Sequence, residues 1–332
     1  MKWYIVIIFI IIAEVIFLVV NKPADRVEGE RTGIGVLRSH IQKEMKSGTS
    51  SEVYKRLKDE YKNKDVSEAH FALHIFGEFL YEKEKRHGIV VCDDALFYGC
   101  YHGFFSRAIA TEGIGIIGDL SKSCGALKEY SLNCIHGIGH GIMEYKGHAK
   151  LAEAFRICKE SLGQGVSFFC AMGALMEYHF PLGENATSTR LLARSEYSEE
   201  TPFGPCPSLP VSYQEVCYFN IAQWWRGVIP DNGKLMVQHC GTLLDLNMKK
   251  DCYLGFGFQV PLYTKNKLSE SMNECNQILS EEERKACFLG VSWGSYYSNK
   301  VLSKTMCDNY NRGEDITSCI NLFKQFTSTK FP

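Results

Sequence analysis

The chain has 332 residues, of which 45% are hydrophobic and 23% are charged, a composition typical of a folded globular protein. It carries 37 basic and 38 acidic residues and a formal net charge of −1. This balance argues against intrinsic disorder and gives no support for a polyanionic partner, so we expect no nucleic-acid binding.

The N-terminus begins with one long, mainly apolar run, Trp3 to Val20, which is interrupted by Glu14 and preceded by a single charged residue, Lys2. A run of 18 residues is long enough to cross a bilayer, and the segment after it lacks the small-residue pattern of a signal-peptidase site. We therefore predict an uncleaved transmembrane signal-anchor over residues 1–20, so that the membrane is one expected partner.

Fourteen cysteines follow the apolar run, and none lies within it. An even and large number of cysteines is typical of oxidising compartments, where disulfides persist. We expect the folded region outside the cytoplasm, in a periplasm, at a cell surface or in a secretory lumen.

The cysteines are arranged as a repeat in which short and long gaps alternate. The short gaps span 8 to 12 positions and the long ones 20 to 36, which gives seven copies of a unit of about 35 residues. The seven pairs are Cys92 and Cys100, Cys124 and Cys134, Cys158 and Cys170, Cys206 and Cys217, Cys240 and Cys252, Cys275 and Cys287, and Cys307 and Cys319.

Each copy has the pattern of a helical hairpin. Apolar residues at helical spacing lead to the first cysteine, a turn follows, and a second apolar helix begins near the second cysteine, often as cysteine-x-x-glycine. Because a disulfide needs Cα atoms within about 7 Å, pairing inside each hairpin is the natural choice. Zinc-thiolate sites are disfavoured, since no pair has the two-to-four-residue spacing that they use.

The predicted fold is therefore all-α, with about seven disulfide-closed hairpins behind the N-terminal transmembrane helix. The hairpins could form an open α-solenoid or a closed α/α toroid. In this arrangement of helix–turn–helix units the chain resembles the disulfide-stapled Sel1-like and tetratricopeptide-type repeat proteins over most of Cys92 to Cys319. That resemblance implies a ligand- or protein-binding role.

Three segments follow from these patterns. Residues 1–20 form the anchor, residues 21–65 are predicted to be a charged linker with a short helix, and residues 66–332 form the repeat domain. A stretch rich in Gly, Ser, Thr and Pro near 182–205 accounts for the longest gap between cysteines, and we expect it to be a surface loop.

Histidines and acidic residues are concentrated in the N-terminal repeats. His136, His140 and Glu144 lie at i, i+4 and i+8, which places them on one face of a helix, and His70 and His74 repeat the four-residue spacing. Such a set can hold a divalent metal such as Zn, Mn or Fe. The candidate ligands are His70, His74, His102, His136, His140, Glu144, Glu177 and His179.

Two other interpretations of the histidines stay open. A histidine beside a glycine can simply serve close helix packing, because glycines at these positions cost the helix about 1 kcal/mol each and something must require them. A glycine-rich turn that binds an anion is the third interpretation.

Aromatic residues mark the later repeats. If they line the concave side of a curved array, they form a groove for a peptide or glycan; otherwise they are core. The candidate groove residues are Trp224, Trp225, Arg226, Trp293, Tyr296 and Tyr297.

The leading functional hypothesis is a membrane-anchored module that binds a protein, peptide or glycan outside the cytoplasm. The alternative is a metal-binding protein or metal-dependent enzyme that uses the histidine and glutamate cluster. No catalytic residue is assigned, since the sequence contains no recognisable nucleophile motif. Gly113 to Gly118 matches a dinucleotide fingerprint but lacks the strand that should precede it, so we interpret it as a loop between repeats.

Overall fold

The structure is a computed structural model that describes residues 33–127, 131–163, 165–181, 197–229, 232–296, 298–310 and 316–330. Within these ranges the chain is entirely helical, with fifteen α-helices and no β-strand. The predicted all-α class is therefore confirmed. The predicted anchor at 1–20 lies outside the described residues. No helix in the described ranges combines the length and apolar character that a bilayer crossing demands.

The helices follow one another with short connections. In chain order they are α1 (33–47), α2 (Ser50–Tyr61), α3 (Val66–Glu84), α4 (Ala95–Glu112), α5 (Ile117–Gly125), α6 (Ser131–Lys146), α7 (Leu151–Ser161), α8 (Ser167–His179), α9 (Val211–Val228), α10 (Gly233–Thr242), α11 (Leu246–Tyr263), α12 (Leu268–Asn276), α13 (Glu281–Ser295), α14 (Lys300–Tyr310) and α15 (Ile316–Lys330).

All seven disulfides close single hairpins, as the spacing predicts, and no cysteine is free. In each hairpin the bond joins the end of the first segment to the first half of the second helix, where the Cα atoms lie 5.4 to 6.0 Å apart. A network of this kind persists in oxidising, extracytoplasmic compartments.

The first segment is not always an α-helix, which differs from the predicted uniform hairpins. It is a 3₁₀ helix over Lys85–Val91 in the first disulfide-closed copy and a 3₁₀ turn at Cys206–Ser208 in the fourth. In both copies the cysteine still reaches its partner, because the bond depends on the position of the turn and not on the length of the segment before it.

The second helices of successive hairpins pack side by side in a continuous layer, which we call the second-helix layer. It contains α3, α4, α6, α8, α9, α11 and α13, and each of them contacts the next. Their side chains supply most of the core, including the fully buried Phe104, Phe168 and Phe256. The first helices cover this layer on its outer side.

Glycines let neighbouring backbones in this layer touch. A Cβ added at Gly103 would lie 1.7 Å from the carbonyl oxygen of His74, and one at Gly255 would lie 1.7 Å from that of Phe219. Gly173 and Gly290 have the same relation to His136 and Leu254, at 1.9 and 2.1 Å. The cysteine-x-x-glycine motif is therefore the point of closest approach between consecutive repeats.

The array begins earlier than predicted. In place of a charged linker, residues 33–47 form α1, whose Leu37, Ile41 and Met45 are buried in the common core. Helix α2 pairs with α3 as a hairpin without a disulfide, and Tyr54 stacks on Phe76 with ring centroids 5.1 Å apart. Helical packing therefore extends to the N-terminal side of residue 66, and the described ranges contain this one hairpin without a disulfide in addition to the seven disulfide-closed ones.

The predicted insertion near 182–205 is described only in its second half. Residues 182–196 lie outside the described ranges. Beyond them, Phe203 packs on Trp225, and the indole nitrogen of Trp225 donates a hydrogen bond to the carbonyl oxygen of Pro202 at 2.6 Å. Glu199, Glu200 and Thr201 are exposed, as expected of a surface loop, while Tyr197 and Phe203 attach this half of the loop to the core.

The last helix, α15, contacts helices that are far apart in the sequence. It lies against α13, where the Trp293 indole donates to the carbonyl oxygen of Cys319 at 2.7 Å, and it also contacts α8 and α9. Phe323 connects these helices, with its ring centroid 4.5 Å from Trp293 and 5.8 Å from Phe169. The end of the array thus returns to the middle of the chain.

The glycine contacts can be tested away from the histidines. Gly255→Ala forces a methyl group against the Phe219 carbonyl, so we expect a loss of about 3 kcal/mol or more in the free energy of unfolding, measured by urea denaturation. Gly118→Ala on α5 is the matched control, because no atom lies within 4 Å of the added Cβ. That control should be neutral or stabilising by up to about 1 kcal/mol, and equal effects of the two substitutions would contradict the packing model.

Candidate metal centre

The predicted histidines meet inside the second-helix layer. His70 and His74 lie on α3, His102 on α4, and His136 and His140 on α6. Glycines bring neighbouring helices of this layer close together: Gly103 of α4 meets the carbonyl of His74 on α3, and Gly141 of α6 meets the carbonyl of Phe105 on α4, where an added Cβ would lie 2.7 Å from the oxygen. The glycines therefore serve close helix packing, and the same packing places the three histidine-bearing helices side by side.

Three of the imidazoles converge. Ligand atoms of His102, His136 and His140 all lie within 4.8 Å of one another, the one such group of three potential metal ligands in the described part of the chain. The Nε2 atoms of His136 and His140 are 3.2 Å apart, and the ring of His102 stacks on that of His140 with centroids 3.9 Å apart. His102 and His140 are buried, while His136 is half-buried.

In two of the three histidines, His140 and His102, the Nδ1 atom of the ring contacts a neighbouring side chain. The Nδ1 atom of His140 lies 3.0 Å from Oε2 of Glu177 on α8, whose carboxylate is itself 1% exposed. The Nδ1 atom of His102 lies 3.2 Å from Nε2 of His70. In contrast, Nε2 of His102 is buried and makes no hydrogen bond to the described residues.

A second polar chain runs beside this group. The Nδ1 atom of His74 lies 3.2 Å from Oε1 of Glu78, and the other oxygen of Glu78 accepts a hydrogen bond from the Arg38 guanidinium at 2.6 Å. Neither Glu78 nor Arg38 is among the ligands predicted from the sequence. Glu78 lies at i+4 from His74, a spacing that the sequence shows, whereas Arg38 lies in the segment predicted to be a linker.

Burial sets the protonation of the three converging imidazoles. It lowers the pKa of His136 to about 4 and, with repulsion from neighbouring histidines, lowers the pKa of His102 and of His140 well below the usual value. All three are therefore neutral at pH 7, the form that binds metals. Neutral His140 donates its Nδ1 proton to Glu177.

His74 behaves in the opposite way. Burial acts to lower its pKa, but the hydrogen bond and charge of Glu78, together with the charges of Glu144 and Glu177, outweigh burial and raise it. The same contact with His74, and the contact with Arg38, lower the pKa of Glu78 against its own burial. The carboxylates of Glu78, Glu144 and Glu177 thus favour a positive charge at His74, and Glu177 also contacts the His140 ring.

The remaining predicted ligands lie further out. Glu144 is half-buried on the same face of α6 as His140 and acts on His74 through its charge. His179 belongs to a different contact, since its ring stacks on Trp224 with centroids 5.1 Å apart. Of the eight candidates, the structure brings His102, His136 and His140 together and places Glu177 and His70 directly against them.

Three of the six predicted groove residues lie in the core. Trp224, Trp225 and Trp293 are buried. Arg226 is half-buried with its guanidinium 5.4 Å from the centre of the Tyr263 ring, and Tyr296 is half-buried beside Lys300. Tyr297 lies outside the described residues. The three tryptophans act here as packing groups.

Comparison with known proteins adds no relative. No family model, no curated protein and no solved structure matches this chain. The resemblance to Sel1-like repeats therefore stays a prediction, and function has to be argued from the site itself.

The contact between α1 and the site can be tested through Arg38. Arg38→Met leaves the Glu78 carboxylate, 4% exposed, without its guanidinium, so we expect a loss of about 1 to 3 kcal/mol in unfolding free energy. Arg56→Met, which removes an exposed ion pair with Glu44, is the control and should cost at most about 1 kcal/mol. Urea denaturation of both variants measures the difference. Equal, small losses would argue that α1 is not part of the folded body.

Proposed function

We propose that this domain is an extracytoplasmic metal-binding protein that holds a zinc-class divalent ion between His102, His136 and His140. The observation that carries the proposal is the convergence of three neutral, largely buried imidazoles with ligand atoms within 4.8 Å. Neutral imidazole is a preferred ligand of zinc and of neighbouring transition metals.

The spacing of two of the three ligand atoms suits such an ion. Two nitrogens bound to zinc at about 2.0 to 2.1 Å in a tetrahedral site are about 3.3 to 3.4 Å apart. The Nε2 atoms of His136 and His140 are 3.2 Å apart, close to that edge. A donor set of three histidines leaves room for one further ligand.

The neighbouring groups also suit a metal. Ligating histidines in proteins usually donate their second ring proton to a carboxylate or a carbonyl, which fixes the ring and raises its basicity. Glu177 serves His140 in this way. The charge of Glu177 offsets part of the cost of placing a divalent cation among neutral rings.

A hydrogen bond between His136 and His140 is the competing explanation. A separation of 3.2 Å between two nitrogens also fits an N–H donor and a lone-pair acceptor. That explanation, however, leaves Nε2 of His102 buried without a partner, at a cost of about 1 to 3 kcal/mol. A bound cation satisfies all three nitrogens at once.

The burial of the ligands favours a structural or storage role over catalysis. Catalytic zinc sites keep one position open to substrate, whereas His102 and His140 are 1% and 0% exposed. Because the ligands come from α4 and α6 and their supports from α3 and α8, the ion would tie four consecutive second helices together. A metal-dependent enzyme is therefore the less supported form of the proposal.

The rest of the architecture is part of this proposal. Contact of α15 with α8 and α9 favours an array that curves back on itself over a fully open solenoid. A membrane anchor at 1–20 would hold the domain at a membrane surface. Recognition of a protein, peptide or glycan stays a prediction, and with Trp224, Trp225 and Trp293 buried it needs other surface residues.

Metal content is the direct test. Purified without a histidine tag, the protein should contain about one equivalent of zinc-class metal by elemental analysis, and chelation should lower its melting temperature. His136→Ala with His140→Ala should abolish both effects, while His87→Ala at an exposed position should change neither. A wild-type protein that binds no added Zn²⁺ and melts at the same temperature with and without chelator would refute the proposal.

Glu177 offers a milder test of the same site. Glu177→Gln keeps an acceptor for the His140 ring but removes the buried charge, so we expect zinc affinity to fall about 10- to 100-fold with folding retained. Titration with Zn²⁺, monitored by calorimetry, measures the change. Glu153→Gln, which removes an exposed ion pair with Lys146, is the matched control. Equal zinc affinity in the two variants would remove Glu177 from the site.

A further inference from the structure

We propose that His70 is a positioning residue that holds His102 in the tautomer with its proton on Nδ1, so that the lone pair of Nε2 faces the metal. The purpose assigned to this tautomer rests on the proposed metal-binding function. The tautomer itself follows from contacts that do not depend on any ion.

The first step is the bond between His70 and the backbone. The Nδ1 atom of His70 lies 3.1 Å from the carbonyl oxygen of Leu96. A carbonyl oxygen can only accept, so Nδ1 of His70 must carry a proton. In a neutral imidazole the other nitrogen, Nε2, then has a lone pair and can only accept.

The second step is the hydrogen bond between His102 and His70. Its Nδ1 atom lies 3.2 Å from Nε2 of His70, and two lone pairs cannot face each other at that distance without a proton between them. His102 must therefore donate from Nδ1. In the neutral ring, the form that binds metals, the single proton of His102 is used there, and Nε2 is left as a bare lone pair.

The carbonyl that contacts His70 belongs to Leu96, whose backbone has an unusual conformation. Leu96 has a φ of 49°, in the left-handed region that a residue with a Cβ rarely adopts. It lies near the start of α4, the helix that carries His102. The same helix thus presents both the carbonyl that orients His70 and the imidazole that His70 orients.

His102 and His140 are oriented in similar ways, each through its Nδ1 atom. His140 is oriented by the carboxylate of Glu177, and His102 is oriented by a histidine whose own polarity comes from a backbone carbonyl. The difference is electrostatic. Glu177 adds a negative charge to the site, whereas His70 fixes a proton position without adding one, which limits the charge that the core has to bury.

Long-range ¹H–¹⁵N NMR on the full-length chain, labelled with ¹⁵N-histidine and stripped of metal, tests the inference. We expect a protonated Nδ1 and a bare Nε2 on His102, with Nε2 responding when Zn²⁺ is added. The signals are assigned by His102→Gln, and His87→Ala serves as the control for substitution of a histidine outside the site.

Three substitutions of His70 separate positioning from simple packing. In His70→Gln the Oε1 atom can occupy the place of Nε2 and accept from His102, so the tautomer should be kept and zinc affinity should stay within about threefold of wild type. In His70→Asn and His70→Ala no acceptor reaches His102, so we expect mixed tautomers and a loss of about 10- to 100-fold in Zn²⁺ affinity.

The outcomes are distinguishable. A proton on Nε2 of His102 in the wild-type protein would overturn the inference, as would an unchanged tautomer in His70→Ala. A glutamine variant no better than the alanine variant would do the same. If the His102 tautomer depends on His70 as described but no variant binds Zn²⁺, the positioning role stands and the metal-binding function fails.

Discussion

The structure depends on the contact between a glycine of one second helix and a backbone carbonyl of the helix before it. A side chain at Gly103, Gly173 or Gly255 would fall within about 2 Å of that carbonyl, which no rearrangement of side chains could relieve. The contact fixes how far apart successive hairpins lie. It also explains why glycine, a poor helix former, recurs within helices that are otherwise strongly apolar.

The disulfides and the glycines serve different parts of the same repeat. A disulfide restricts the two segments of one hairpin at their turn and acts largely on the unfolded chain. The glycine contact joins one hairpin to the next and acts in the folded state. The first hairpin, α2 with α3, has no disulfide, but its Gly77 lies against the backbone of Cys100 and Phe104, so it joins the array through packing alone.

Much of this architecture could be predicted from the sequence, because cysteine spacing reports covalent pairing almost directly. The histidine faces could also be predicted, since four-residue spacing on a helix is a local property. Convergence of His102 with His140 could not, because it depends on the separation and rotation of two helices. Helix α1 was missed although Leu37, Ile41 and Met45 follow a helical period, because the charged residues between them suggested a linker. The tryptophans suggested a surface groove, but a large ring also fills core space.

The position of α15 has a consequence for how this protein can evolve. Open helical arrays gain or lose whole units readily, because each unit touches only its neighbours. Here Phe323 of α15 packs against Phe169 on α8 as well as against Trp293 on α13. Duplicating or deleting one hairpin between them would pull these rings out of register. The packing of Phe323 therefore constrains the number of hairpins, and natural variants should differ in loop length and not in the number of repeats.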